Sequence, residues 1–356
     1  MTDLKIYSKK WSFSMKIPVL SILFSFIISS CTFSGKDDDI PVVNLSSVDS
    51  LSVYMGLPLF AEFYDNKLFV MDLYGEDGFI KVIDVKKDSL LFSFAKQGNG
   101  PHEYLHISNI NIVNENLSET TIGVFDPASK KYRIYSYDSL FAQGTNAVPV
   151  STLNLPEGSR YTELIRLDSA FAATDLSGKG RFAILDSSLE NERHVCDYRP
   201  KPAASVPNTI HAMAHHGKTF VSPDRKTIAN IIYIAEVFSV FHADRRDIVP
   251  AWDYVVKEMD YKTDGDRIDS NTPLGYLSAA MDDEYIYGLF CGKEEDKQSS
   301  ATYANEIHVF SGEGKLIRKL HFEASAFGIT IDRENRILYT LVHEPEPHIL
   351  AYRLSK

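Results

Sequence analysis

An all-β fold, a six-bladed β-propeller of four-stranded antiparallel blades, is what this sequence predicts, on three observations. A short alternating apolar segment that ends in a tight polar turn recurs six times. A second hairpin signature precedes most of the copies. The two ends of the chain supply complementary parts of one unit. Composition agrees: 44% of the 356 residues are hydrophobic, and 19 Tyr and 21 Phe suit strands better than helices.

The copies are IKVIDVKKDSLLF (80–92), YRIYSYDSL (132–140), FAILDSSL (182–189), FSVFHADRRDI (238–248), IHVFSGEGKLI (307–317) and HILAYRL (348–354). They stand roughly 40 to 70 residues apart, the spacing of propeller blades with variable loops. The preceding hairpins are read at 62–70, 221–228, 281–287 and 331–339, where Asp, Asn or Pro-Asp supplies the reversal. The stretches 107–113 and 161–173 hold the less regular copies. The last unit stops at its third strand, and the orphan alternating segment 42–53 is expected to supply the fourth. That loan closes the ring and removes an exposed edge. No helix competes in this reading, and 252–276 reads as a long acidic loop.

Ahead of the fold, Lys9, Lys10 and Lys16 precede an apolar run at 17–28 and then Ser29, Ser30 and Cys31. This is a secretory signal over 1–30, too short for a secure membrane span. A linker over 31–40 and a single propeller domain over 41–356 follow. The formal net charge of -11 excludes a broad phosphate-neutralising face, so no nucleic-acid partner is expected. Besides Cys31, only Cys196 and Cys291 remain. They make no disulfide framework and read as two buried thiols.

The stretch AKQGNGPHEY (95–104) looks most like a catalytic loop. As a phosphate cradle it fails, because Gly98 and Gly100 lack a third glycine and a following helix. His102 and Glu103 are neighbours, so on extended chain they point to opposite faces. The corner turns the chain from one blade to the next, with Tyr104 packed across the seam, and leaves His102 a role only at the channel mouth. His211, His215 and His216 form the densest histidine cluster. As an inner strand beside the channel, the segment would put His211 and His215 on one face, where solvated or hydrogen-bonded histidines outweigh a metal site. Asp264, Asp266 and Asp269 lack the length and terminal Glu of an EF-hand loop and read as solvated acids. Hydrolase signatures and cofactor motifs are absent, so no catalytic residue, metal or cofactor is assigned.

Several motifs carry resemblances. Ile28 to Cys31 resembles a lipobox, which implies a lipidated Cys31 and a membrane anchor; two acyl chains suffice for stable attachment. Lys36, Asp37, Asp38 and Asp39 are similar to the surface-export signal of Bacteroidetes lipoproteins, which implies the outer membrane, at its cell-surface or periplasmic face. Asp49-Ser-Leu51, Asp88-Ser-Leu90, Asp138-Ser-Leu140 and Asp168-Ser-Ala170 resemble an O-glycosylation acceptor of exported proteins from that group, and Asp-Ser is also ordinary turn chemistry. The segment 222–229 is similar to the SPDGKxIA hairpin of TolB-type propellers, with Arg225 where glycine is usual. Together these features resemble the TolB-like six-bladed propeller lipoproteins of Bacteroidetes. The resemblance implies fold and compartment more than chemistry. The expected function is therefore a binding or scaffolding module for a protein, glycan or small-molecule ligand. The alternative is a propeller enzyme, a metal-dependent lactonase or hydrolase or a polysaccharide lyase, with its site at the channel.

Overall fold

Alternation at period two turns nearly the whole chain into antiparallel meanders. The computed structural model describes residues 32–33, 40–115, 119–244, 247–264, 267–270, 272–293 and 303–355. The signal at 1–30, Cys31, the Lys36 to Asp39 run and Asp266 lie outside the described residues, as does the side chain of Asp269.

Blade 1 comprises Pro58–Tyr64, Lys67–Asp72, Ile80–Asp84 and Ser89–Phe94. Blade 2 comprises Asn109–Glu115, Glu119–Asp126, Lys131–Ser136 and Ser151–Asn154. Blade 3 follows with Tyr161–Arg166, Phe171–Asp175, Phe182–Leu185 and Glu192–Val195. Gly217–Val221, Thr227–Ile232, Glu236–Ala243 and Ile248–Lys257 form blade 4, with Thr32–Phe33 pairing parallel to its last strand. Blade 5 runs through Leu274–Met281, Tyr285–Lys293 and Ala304–Ser311 into the first part of Leu316–Asp332. The second part of that strand opens blade 6, which continues through Ile337–Val342 and His348–Arg353. Ser47–Leu51 pairs antiparallel with His348–Arg353, so an N-terminal strand lies beside the C-terminal one.

Buried side chains form clusters between neighbouring blades. Leu51, Leu68, Val70 and Ile83 pack with Tyr339, Leu341 and Ile349, joining the first blade to the last. Polar ties cross the seams as well. The Asn109 and Asn111 amides both donate to the Leu164 carbonyl, at 2.7 and 2.9 Å, linking the first strands of blades 2 and 3. Arg181 reaches from blade 3 to Asn230 and Ser239 of blade 4.

Three expectations are corrected. The copy at 132–140 does not turn into a fourth strand. It enters helix α1, Tyr137–Gln143, because the Ser136 side chain caps the Ser139 N–H, and the strand comes later at Ser151–Asn154. Asp138 therefore stands in the first turn of a helix, not in a hairpin. The histidine-rich segment is helix α2, Asn208–Ala214, in place of the inner strand expected there. The expected loop 252–276 begins as strand to Lys257 and then forms a hairpin, Tyr261–Asp264 with Arg267–Ser270.

The corner at 95–104 does join blades 1 and 2. Gly98 donates to the Tyr104 carbonyl at 3.0 Å, and Tyr104 donates to the Lys96 carbonyl at 2.9 Å. Gly98 adopts φ +154, and a Cβ there would stand 2.0 Å from Glu103 Oε2, so glycine is required twice over. Glu103 Oε2 accepts the Gly100 N–H at 2.8 Å, which makes this glutamate a loop brace. Tyr104 is buried among Phe69, Phe94 and Ile122, and its hydroxyl meets that of Tyr135 at 3.0 Å. The Arg133 guanidinium lies over its ring at 4.4 Å.

Candidate functional site

The first strands of the six blades surround an axial channel, and alternation sends every second side chain into it. Where these strands begin, all six blades wall a cavity of about 290 Å³. Phe60 comes from blade 1, His106 and Ser108 from the approach to blade 2, and Thr162 and Glu163 from blade 3. His216, Lys218, Phe220 and Tyr233 come from blade 4, Ser278 from blade 5 and Phe327 from blade 6. Toward the hairpin turns lies a second cavity of about 210 Å³, bordered by Glu62, Ile112, Arg225, Met281 and Ile331. Phe220 borders both.

Charge in the strand-start cavity centres on one pair. Lys218 Nζ stands 3.0 Å from Glu163 Oε1, also donates to the Ser108 carbonyl, and lies 4.1 Å from the centre of the Phe60 ring. Glu163 is only 3% exposed, and neither of its oxygens has an aligned hydrogen-bond donor among the described residues. The Thr162 hydroxyl is likewise buried and unmatched among the described residues. Burial lowers the pKa of His216, with Glu163 opposing, and the His216 ring meets Tyr233 edge to face at 5.5 Å. Burial also raises the Tyr233 phenol.

In the hairpin cavity, Glu62 projects into the lumen from the middle of its strand. Its side chain is open to water in the lumen while the channel walls enclose it, and the resulting desolvation raises its pKa to about 7 against the opposing pull of Arg225 and Lys218. Arg225 adopts φ +62, a left-handed conformation that disfavours any side chain, at the position where TolB-type hairpins carry glycine. Its guanidinium reaches from blade 4 to the Ile112 and Arg166 carbonyls of blades 2 and 3, bracing the hairpin end of the channel.

The residues singled out from sequence lie elsewhere. His102 is exposed on the corner, and the histidine that borders the cavity is His106, four residues on. His211 on α2 and His215 at its C-cap are buried with both ring nitrogens engaged. His211 meets the Tyr261 hydroxyl at 2.7 Å and the Arg199 carbonyl at 2.6 Å. His215 Nδ1 meets the His211 carbonyl at 2.8 Å, and its Nε2 accepts the Arg199 N–H at 3.2 Å. Burial, reinforced by Arg181, lowers the His215 pKa to about 3, so it is a neutral structural imidazole. The third histidine of the cluster, His216, is the one that faces the cavity. Among the described residues, no group of three or more His, Cys, Asp or Glu is placed to hold a metal ion. Neither Cys196, half-buried, nor Cys291, buried, forms a disulfide among the described residues.

Glu62, Glu163 and Tyr233 escaped sequence reading because each comes from a different blade, far apart in the chain. One signal was available. Lys218, Phe220 and Ser222 alternate into the Ser222-Pro223-Asp224 turn, which marks them as one face of an inner strand.

Four-stranded blades around a lined axial channel define the class, a β-propeller. The chain belongs to the TolB-like 6-blade propeller-like family, whose model matches residues 38–334. No curated protein sequence matches it. Among solved structures it is similar to a DUF4221 member from Bacteroides vulgatus, with TM-score 0.55 and 11% identity over 87% of this chain and 96% of that one. A Bacteroides fragilis protein described as exported gives TM-score 0.53 and 10% identity, over 88% and 100%. The Swd1 propeller domain of Myceliophthora thermophila gives 0.51 and 10%, over 87% and 100%. At such identities the likeness is one of fold.

Proposed function

We propose that this protein is an extracytoplasmic binding module that holds a small ligand in the strand-start cavity of its axial channel. The observation that carries the reading is the wall of that cavity. All six blades contribute to it, and it holds aromatic rings beside the Thr162 hydroxyl and Glu163 Oε2, which have no hydrogen-bond partner among the described residues. The fold supplies a rigid frame, and the ligand supplies the missing hydrogen bonds.

The compartment follows from the leader. A basic start, an apolar run and Cys31 after Ser29-Ser30 support export and lipid anchoring in an outer membrane of the Bacteroidetes type. The exported Bacteroides fragilis relative in fold is consistent with this. The pairing of Ser47–Leu51 with the last strand supports ring closure by the N-terminal strand. Lys36 to Asp39 would carry the export signal to the cell surface. A protein partner would meet the loops at either face.

A second reading, an enzyme at the channel, is favoured by Glu62. A carboxyl with a pKa of about 7 is suited to proton transfer at neutral pH. Among the described residues that line its cavity there is no second carboxylate, so binding is the better-supported function.

Native mass spectrometry of protein isolated from its own cell envelope tests the proposal, with Thr162→Trp as the plugged-cavity control. A small molecule retained by wild type and lost in the variant supports it. An empty wild type that takes up nothing from a whole-cell extract contradicts it. Cys31→Ala should release the protein from the membrane fraction, and its retention there would contradict lipid anchoring.

A further inference from the structure

We infer that the strand-start cavity selects an uncharged, polyhydroxylated ligand of about one sugar ring, a neutral saccharide. This rests on the reading of the channel as a binding site and specifies its ligand. Three features of the wall lead to it.

The first is charge balance. Glu163 and Lys218 are the acid and base of this cavity, and they stand 3.0 Å apart as a pair. A ligand carrying net charge would leave one unmatched charge in a desolvated lumen, where the cost is several-fold higher than in water. A neutral ligand leaves the pair intact.

The second is unmet hydrogen bonding. Glu163 Oε1 is engaged by Lys218, whereas Glu163 Oε2 and the Thr162 hydroxyl have no hydrogen-bond partner among the described residues. His216 and Tyr233 line the same cavity, their rings meeting edge to face at 5.5 Å. Glu163 can only accept, whereas the other three both accept and donate, since burial keeps His216 and Tyr233 neutral. Hydroxyl groups, which accept and donate on the same atom, complement such a mixed set. A purely accepting anion or a purely donating cation does not.

The third is shape. The Phe60, Phe220 and Phe327 side chains border the same space and supply apolar surface for the C–H faces of a sugar ring. At about 290 Å³ the cavity lies at the small end of the range of ligand pockets, which suits one ring over a longer chain.

The test is calorimetric titration of the mature wild-type protein with D-glucose, D-galactose, D-mannose, D-xylose and N-acetyl-D-glucosamine. D-glucuronate and D-glucosamine, on the same ring skeleton, serve as anionic and cationic comparators. At least one neutral sugar should bind at millimolar concentration or below. Its affinity should change little between low and high salt, and the charged comparators should bind at least tenfold more weakly. Tyr233→Phe should change the melting temperature little, because no hydrogen bond of its hydroxyl is made among the described residues, yet weaken the sugar about tenfold. Glu163→Gln should weaken it by at least tenfold, because hydrogen bonds to a charged acceptor are the strongest of the set. Tighter binding of glucuronate or glucosamine overturns the inference and leaves the channel as a binding site. Failure of every sugar overturns it too, and retention of another compound in the envelope-derived protein would then keep the broader proposal standing. Unchanged sugar affinity in both variants would move the site away from this wall.

Discussion

Replacing Glu62 by Gln should stabilise the protein at pH 8 and change little at pH 5. In the fold this carboxyl keeps its proton up to about pH 7, whereas in the unfolded chain it loses it near its ordinary 4.5. The stability it contributes is therefore complete below about pH 4.5 and lost as pH rises through about 7. The displacement sets a ceiling of about 3 kcal/mol. The lumen admits water to the side chain, so about 1–2 kcal/mol is the expected effect. For a chain of this size that corresponds to a rise in melting temperature of about 1–3 °C. Wild type alone would mislead, because His215, held at about 3, works in the opposite sense. Its contribution is present above its ordinary 6.5 and lost as pH falls. The assay is thus the difference between variant and wild type in thermal unfolding at pH 5 and pH 8. Arg225 donates to two backbone carbonyls and keeps those hydrogen bonds when the acid is gone. An equal difference at both pH values, or a less stable variant at pH 8, would refute the reasoning.

Three further outcomes follow from the same structure. Asp72→Ala should cost about 3–5 kcal/mol, because it strands the buried Lys81 ammonium, 3.0 Å away, and the Gly56 and Leu57 N–H groups; denaturant unfolding reads it. Gly98→Ala should cost about 1–3 kcal/mol through its φ of +154 and the clash with Glu103, while leaving ligand binding intact if the corner is purely structural. The Cys196 thiol, pushed up to about 11 by burial, should alkylate with iodoacetamide at pH 8 far more slowly than a free cysteine, followed by intact mass.

The repeats were legible because each depends on local alternation and on turn residues that act within a few positions. Asp65-Asn66, for example, both adopt positive φ in the first hairpin. The helices were missed because strand-like neighbours masked their own signals. Ser136, three residues before Ser139, is an N-cap signature. Val206, Ile210 and Ala214 recur at helical spacing and pack together against Tyr261. The site was the least legible part, for a physical reason. Glu163 of blade 3 meets Lys218 and Tyr233 of blade 4 only when the two blades are brought together around the channel. Local patterning states which face a residue occupies, whereas the arrangement of blades decides what it faces. The His211 and His215 pair shows the converse, since a dense cluster in sequence became the interior of a helix and a brace for Arg199.

A crystal structure of the mature protein carrying the ligand it retains from its own envelope tests the central claim most directly. The account predicts density for one uncharged, hydroxyl-bearing ring between Thr162, Glu163, His216 and Tyr233, against the phenylalanine faces. Ligand density on an outer loop or a blade edge, with only water in the channel, would contradict it.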